Sequence, residues 1–141
     1  MVKLFLSTPC YGGQVLEHYA ASLVQLTDLC NTKGIQLYFD TTENESLVQR
    51  ARNVSLGRFM QKSDCDYMMF IDADIHFDPA SVIRLLESGH DFSVACYPKK
   101  YIGWDDAEQG VRSGDSRPPH MLASSLVVNI GSEKRQVVNG F

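Results

Sequence analysis

Two carboxylates one residue apart, in Asp72-Ala73-Asp74, directly follow the apolar run Tyr67-Met68-Met69-Phe70-Ile71. At the end of a strand, a pair with that spacing can share a hard divalent cation, and Mg²⁺ or Mn²⁺ with oxygen ligands is the expected occupant. Such an ion neutralises the charge that develops on a diphosphate leaving group. An isolated Asp-x-Asp also occurs as a solvated turn whose carboxylates cap backbone amides. Here an unbroken apolar strand runs into the motif and a helix start, Asp78-Pro79, follows it, and that context favours the cation site over the plain turn.

Other side chains could join that chemistry. His76 follows Asp74 at strand spacing and could complete an Asp-x-Asp-x-His cluster, and His120 could reach in as a distal ligand. A lone histidine is more commonly a satisfied surface or core group. Lys99 and Lys100 could neutralise phosphates as point charges, with plain solvation as the alternative. The cysteines Cys10, Cys30, Cys65 and Cys96 form no CxxC pair, so reduced thiols are expected rather than a zinc or redox site.

These residues need a scaffold, and its elements are legible in outline. Val2 to Ser7 is a short apolar run closed by Thr8-Pro9-Cys10-Tyr11-Gly12-Gly13, which predicts a buried strand delivering a loop. Val15, Tyr19, Leu23, Leu26 and Cys30 then mark one helix face, with Gly34 as its C-cap. Ile35 to Phe39 predicts a second strand ending at Asp40, and Thr41 to Glu45 a loop. A helix from about Ser46 follows, with Leu47, Ala51 and Val54 as its buried side and Arg50 and Arg52 flanking them. Tyr67 to Ile71 lacks polar alternation, as expected of a central parallel strand covered on both faces. A helix capped by Asp78 and ending before Gly89, then a fourth strand from Phe92 to Cys96, complete the series.

The expected fold class is α/β: a Rossmann-like, mostly parallel sheet with helices on both faces, built from right-handed βαβ crossovers. The chain of 141 residues reads as one domain: a core over residues 1–100, a long loop over 98–119, and an incomplete β segment over 120–141. In that last part Met121 to Ile130 and Gln136 to Val138 could pair as a hairpin.

Ligands of such sheets bind beyond the carboxyl ends of the strands, which here present Thr8 to Gly13, Asp40 and Asp72 to Asp74. Tyr67 to Ile75 resembles the strand and Asp-x-Asp motif of GT-A glycosyltransferases, particularly family 2 and related viral and bacterial enzymes. The loop Thr8-Pro9-Cys10-Tyr11 is similar to that family's first nucleotide loop, and Arg50-Ala51-Arg52-Asn53 to its helix motif ahead of the Asp-x-Asp strand. The resemblance covers about residues 2 to 100 and rests on the order and spacing of the parts.

It implies a nucleotide site formed by Thr8, Pro9, Tyr11, Asp40, Arg52 and Asp72. Tyr11 would stack on the base, Asp40 would accept from the base imide of a uracil or thymine nucleotide, and Arg52 would lie near the nucleotide or its phosphates. Asp72 would contact the ribose or the metal's water shell, and Asp74 would ligate Mn²⁺ or Mg²⁺ directly. Inverting members add a carboxylate base beyond the Asp-x-Asp; Asp105, Asp106 and Asp115 are weak candidates, and none is assigned.

The resemblance thus implies a metal-dependent glycosyltransferase moving sugar from a UDP- or dTDP-type donor to the hydroxyl of a glycan, lipid or protein acceptor. The chain ends at Phe141, short of a GT-A catalytic domain, so truncation after the nucleotide-binding half is expected. Exposed apolar surface would then invite self-association into a homo-oligomer.

A nucleotide-sugar-binding fragment without turnover is the alternative. A phosphatase using the Asp-x-Asp is disfavoured, because its nucleophile ends the first strand with a Thr two residues after the second Asp, where His76 stands here. A sugar nucleotidyltransferase needs a basic residue after its Gly-rich loop, and Gly12-Gly13 lacks one. A net charge of −4 argues against nucleic acid as a partner. No apolar run reaches membrane-spanning length and Met1-Val2-Lys3 does not open a signal peptide, so a cytoplasmic location is expected.

Overall fold

A computed structural model describes residues 1–62 and 64–125. Where the sequence predicts one domain, the chain divides into two compact units, Met1–Ser93 and a second beginning at Val94.

The first unit is mixed α/β around a three-stranded parallel sheet, β1 (Lys3–Cys10), β2 (Gln36–Glu43) and β3 (Tyr67–Phe70), in the order β2-β1-β3. Helices α1 (Glu17–Lys33), α2 (Val48–Gln61) and α3 (Pro79–Glu87) connect and cover it. β1 pairs with β2 over its whole length, from Lys3 opposite Gln36 to Cys10 opposite Glu43, and with β3 from Leu4 opposite Tyr67 to Ser7 opposite Phe70.

Alternation along the strands assigns the two faces. Leu4 and Leu6 of β1 join Leu26 and Cys30 of α1 and Val82 and Ile83 of α3 in one buried cluster, with Met69 and Ile71 packed against it. On the other face Phe5 meets Phe59 of α2, ring centroids 5.8 Å apart.

Local chemistry explains the boundaries. α1 ends at Gly34, whose φ of 68° places it in the left-handed C-cap conformation, with its N–H donating to Asn31 and Cys30 carbonyls. α3 begins as expected: the Asp78 side chain accepts from the Ala80 N–H at 3.0 Å, and Pro79 holds the first turn.

Several boundaries differ from those the sequence predicts. β1 runs on to Cys10, so Thr8 and Pro9 are strand residues, because the ladder with β2 continues through Thr41, Thr42 and Glu43. Val15 precedes α1, whose buried residues are Tyr19, Ser22, Leu26 and Cys30. In α2, Ala51 is buried as expected, but its buried partner is Ser55, while Leu47 and Val54 are exposed. The central strand is β1; β3 pairs on one side among the described residues, and its Tyr67 and Phe70 are partly exposed. Phe92 to Cys96 forms no strand, leaving Phe92 83% and Val94 71% exposed.

The second unit contains α4 (Trp104–Arg112) and α5 (Pro119–Leu122) where a long loop is expected. Ala107, Leu122 and Ala123 form its buried cluster. Leu122 sits so close to Gly110 that a β-carbon there would meet it at 2.9 Å. Of the expected hairpin, Met121 and Leu122 lie in α5, 123–125 carry no strand, and 126–138 fall outside the described residues. No described helix is long and apolar enough to cross a membrane.

Candidate functional site

The chain leaves β1 for β2 on one side, then crosses to β3 on the other, so its direction reverses between β1 and β3. The connections leaving β1 and β3 lead to helices on one face, α1 and α3, and that leaving β2 leads to α2 on the other, so the carboxyl ends of β1 and β3 lie side by side. Two loops meet at that position. After β1 comes a single 3-10 turn, Tyr11–Gly13, and after β3 comes the acidic turn, closed by the Ile75 N–H donating to the Asp72 carbonyl at 3.1 Å. The Tyr11 ring is 73% exposed. Gly12, with φ 75°, and Gly13, with φ 68°, adopt the left-handed conformation that swings the chain out of β1, where a side chain would be strained.

The loops are joined directly. The Leu16 N–H donates to the Ala73 carbonyl at 3.0 Å, the middle residue of the acidic motif. Further contacts follow in register: the His18 and His76 rings lie 5.6 Å apart, Tyr19 and Phe77 rings 5.8 Å, and the Phe77 N–H donates to Ser22 Oγ at 3.3 Å. The first turns of α1 therefore hold the segment after Asp74.

Asp72 lies on the α2 face, where strand alternation puts it with Phe70. Arg52 Nη2 donates to Asp72 Oδ1 at 2.8 Å, and the guanidinium carbon stands 5.5 Å from the Phe70 ring centroid. The ion pair is partly open to water, with side-chain exposures of 42% for Arg52 and 34% for Asp72. The Arg52 Nε is nevertheless buried and has no acceptor among the described residues. A buried N–H without a partner is costly, and an anion placed against it would satisfy it.

Asp40 sits in the middle of β2, opposite Ser7. Its carboxylate accepts from Arg58 Nη1 at 2.9 Å, Ser55 Oγ at 3.0 Å and Ser7 Oγ at 3.4 Å, and Thr42 bonds Ser55 beside it. Three donors leave about one of its four lone-pair sites open. Thr8 is fully buried and its hydroxyl bonds the Tyr19 hydroxyl.

A cavity of about 250 Å³ opens beside the loop after β1, lined mainly by apolar groups including Tyr19, Leu23 and Phe39, with Cys10 and Glu43 at its polar end. Burial pushes the Cys10 thiol up, and the Glu43 carboxylate adds to the effect. Burial also raises Tyr19, against the opposing hydrogen bond to Thr8. Neither group is set up as an ionised nucleophile.

In the first unit Arg52 meets Asp72, the His76 ring lies beside His18, Asp74 follows in the turn bonded through Ala73 to Leu16, and Tyr11 stands exposed on the loop after β1. His120, Lys99, Lys100, Asp105, Asp106 and Asp115 belong to the second unit. Asp115 is paired with Arg117, which holds its carboxyl down at about 2. Among the described residues no three His, Cys, Asp or Glu side chains cluster to hold an ion. Sequence reasoning missed His18, Glu43 and the Leu16 amide. Leu16 and His18 reach the acidic segment through tertiary contacts, and Glu43 stands in register opposite Cys10, so no local pattern points to them. Comparison with family models, curated proteins and solved structures returns no match.

Proposed function

We propose that this chain is the nucleotide-binding part of a metal-dependent, GT-A-type glycosyltransferase with a Rossmann-like core, which takes a UDP- or dTDP-type sugar donor at the carboxyl ends of β1 and β3. One observation supports the reading: the acidic turn after β3 is bonded through Ala73 to Leu16, in the loop after β1 that also carries the exposed Tyr11.

The donor set suits a hard cation. Two carboxylates are few for an all-protein cage, but Mg²⁺ is commonly held by one or two carboxylates, with water and substrate phosphates completing its shell. Asp74 would ligate the ion and Asp72 would contact it or its water. When bound, the cation supplies charge neutralisation for the departing diphosphate. Tyr11 stacks on the base, and Arg52 brings a cation and a buried N–H without a partner toward the anionic ligand. No side chain is assigned as the base for the acceptor hydroxyl.

Calorimetric titration with UDP, dTDP and GDP, with and without Mn²⁺, tests the reading. UDP or dTDP should bind only with Mn²⁺, and Asp74→Ala should weaken that binding by more than about tenfold. Equal affinity in wild type and variant defeats the proposal. Donor hydrolysis measured with Mn²⁺ separates turnover from binding alone.

A further inference from the structure

Arg52 does two things that pull against each other. Its Nη2 neutralises Asp72 at 2.8 Å, while its Nε is buried with no acceptor among the described residues. A guanidinium placed only to fix a carboxylate does so best in a bidentate fork that uses Nε as well, as Arg50 does on the same helix, giving Nε and Nη2 to Glu45 at 2.6 and 2.7 Å. Arg52 instead contacts Asp72 through one nitrogen and lies near the face of Phe70, at 5.5 Å. One contact is easily given up, and the idle donor awaits an anion.

From this geometry we infer that Arg52 is an exchangeable counter-ion: it holds the cation's place at Asp72 until a divalent ion arrives, and on displacement it turns its donors to the anionic group that the ion brings. Arg52 and the cation carry charge of the same sign and compete for one carboxylate, so Arg52 weakens binding of the metal alone. The anion needs both cations, so Arg52 strengthens binding of the metal with its anionic ligand. By linkage, metal and anion then bind cooperatively, with Arg52 as the moving part. The inference rests on the proposed cation site at Asp72 and Asp74, and Arg52 acts in it as a binding residue for the anion.

The experiment measures Mn²⁺ alone by loss of the free-ion electron paramagnetic resonance signal, and UDP in saturating Mn²⁺ by calorimetry. Its proteins are wild type, Arg52→Gln, Arg52→Lys, Arg50→Gln and Asp74→Ala, each checked for folding by circular dichroism. Arg52→Gln should bind Mn²⁺ alone about twofold to fivefold more tightly, the scale of a partly exposed ion pair, and UDP with Mn²⁺ more weakly than wild type. Arg52→Lys restores the charge beside Asp72 but has no Nε donor, so it should return Mn²⁺ affinity to wild type without recovering UDP affinity. It also keeps the test decisive if the glutamine variant fails to fold. Arg50→Gln removes the same charge from the same helix and should leave Mn²⁺ affinity unchanged.

Unchanged or weaker Mn²⁺ binding by Arg52→Gln, unchanged UDP binding, or an Arg50→Gln effect equal to that of Arg52→Gln overturns the exchange. If wild type retains Mn²⁺ and UDP binding that Asp74→Ala loses, the proposed function survives that failure. If wild type shows no Asp74-dependent binding, both fall together.

Discussion

The two faces of the sheet in the first unit are built from the same strands, but only one of them carries a polar network beside its apolar contacts. Toward α1 and α3, β1 presents Leu4 and Leu6 to a buried apolar cluster. Toward α2 it presents Phe5 and then Ser7, which joins Asp40, Ser55, Thr42 and Arg58 in a hydrogen-bonded network, with Arg52 and Asp72 also on that face. An apolar face is held by area and shape, without regard to direction. A polar network is held by partners, and each member fixes the orientation of the next. The first face gives the unit its stability, and the second gives its carboxyl end directed charge.

The sharpest way to break this contrast is to remove volume from the apolar face. Leu6→Ala should lower unfolding free energy by about 3 kcal/mol, through lost burial and the cavity left behind. Urea unfolding measures it, and a loss below about 1 kcal/mol would show that α1 and α3 do not rest on Leu6. On the network face, Asp40→Ala leaves the Ser55 and Ser7 hydroxyls without their acceptor and should cost about 2 kcal/mol. A neutral Asp40→Ala would mean that the network is ornamental and Asp40 is available for ligand.

The smallest effect lies at the solvated edge of α2. Glu45 is held below its ordinary value, first by the Arg50 hydrogen bond and then by the Leu47 N–H. A carboxyl lowered in the folded state adds stability above its unfolded value near 4.5 and loses it as pH falls through the lower folded value. Melting temperature followed downward from pH 5 should therefore fall slightly less steeply in Arg50→Gln than in wild type, and identical slopes would remove Glu45 from the account.

What was legible in the sequence follows the same division. The apolar face announced itself: Leu4 and Leu6 in a continuous run, the helical spacing of Tyr19, Leu26 and Cys30, and the Asp78-Pro79 helix start all reflect local chemistry. The ends of strands were not legible, because β1 reaches Cys10 only by pairing with β2, and register is a property of two segments. Phe92 to Cys96 shows the converse: strand-like composition without a strand partner. Helix α4 was hidden by a Gly- and Asp-rich composition, although Asp105 and Asp106 suit the positive end of a helix dipole and Ala107 sits one turn from Trp104. Of the site, the acidic pair, Tyr11 and Arg52 were readable as types, while the bonds of Arg52 to Asp72 and of Leu16 to Ala73 depend on tertiary placement.

The Leu16–Ala73 bond gives the two loops a built-in gauge. An amide proton exchanges with solvent only when its bond opens, and this bond spans the two loops. Its exchange rate thus times the opening of that contact, without a label and without any need for turnover. A ligand that clasps both loops would slow that single clock.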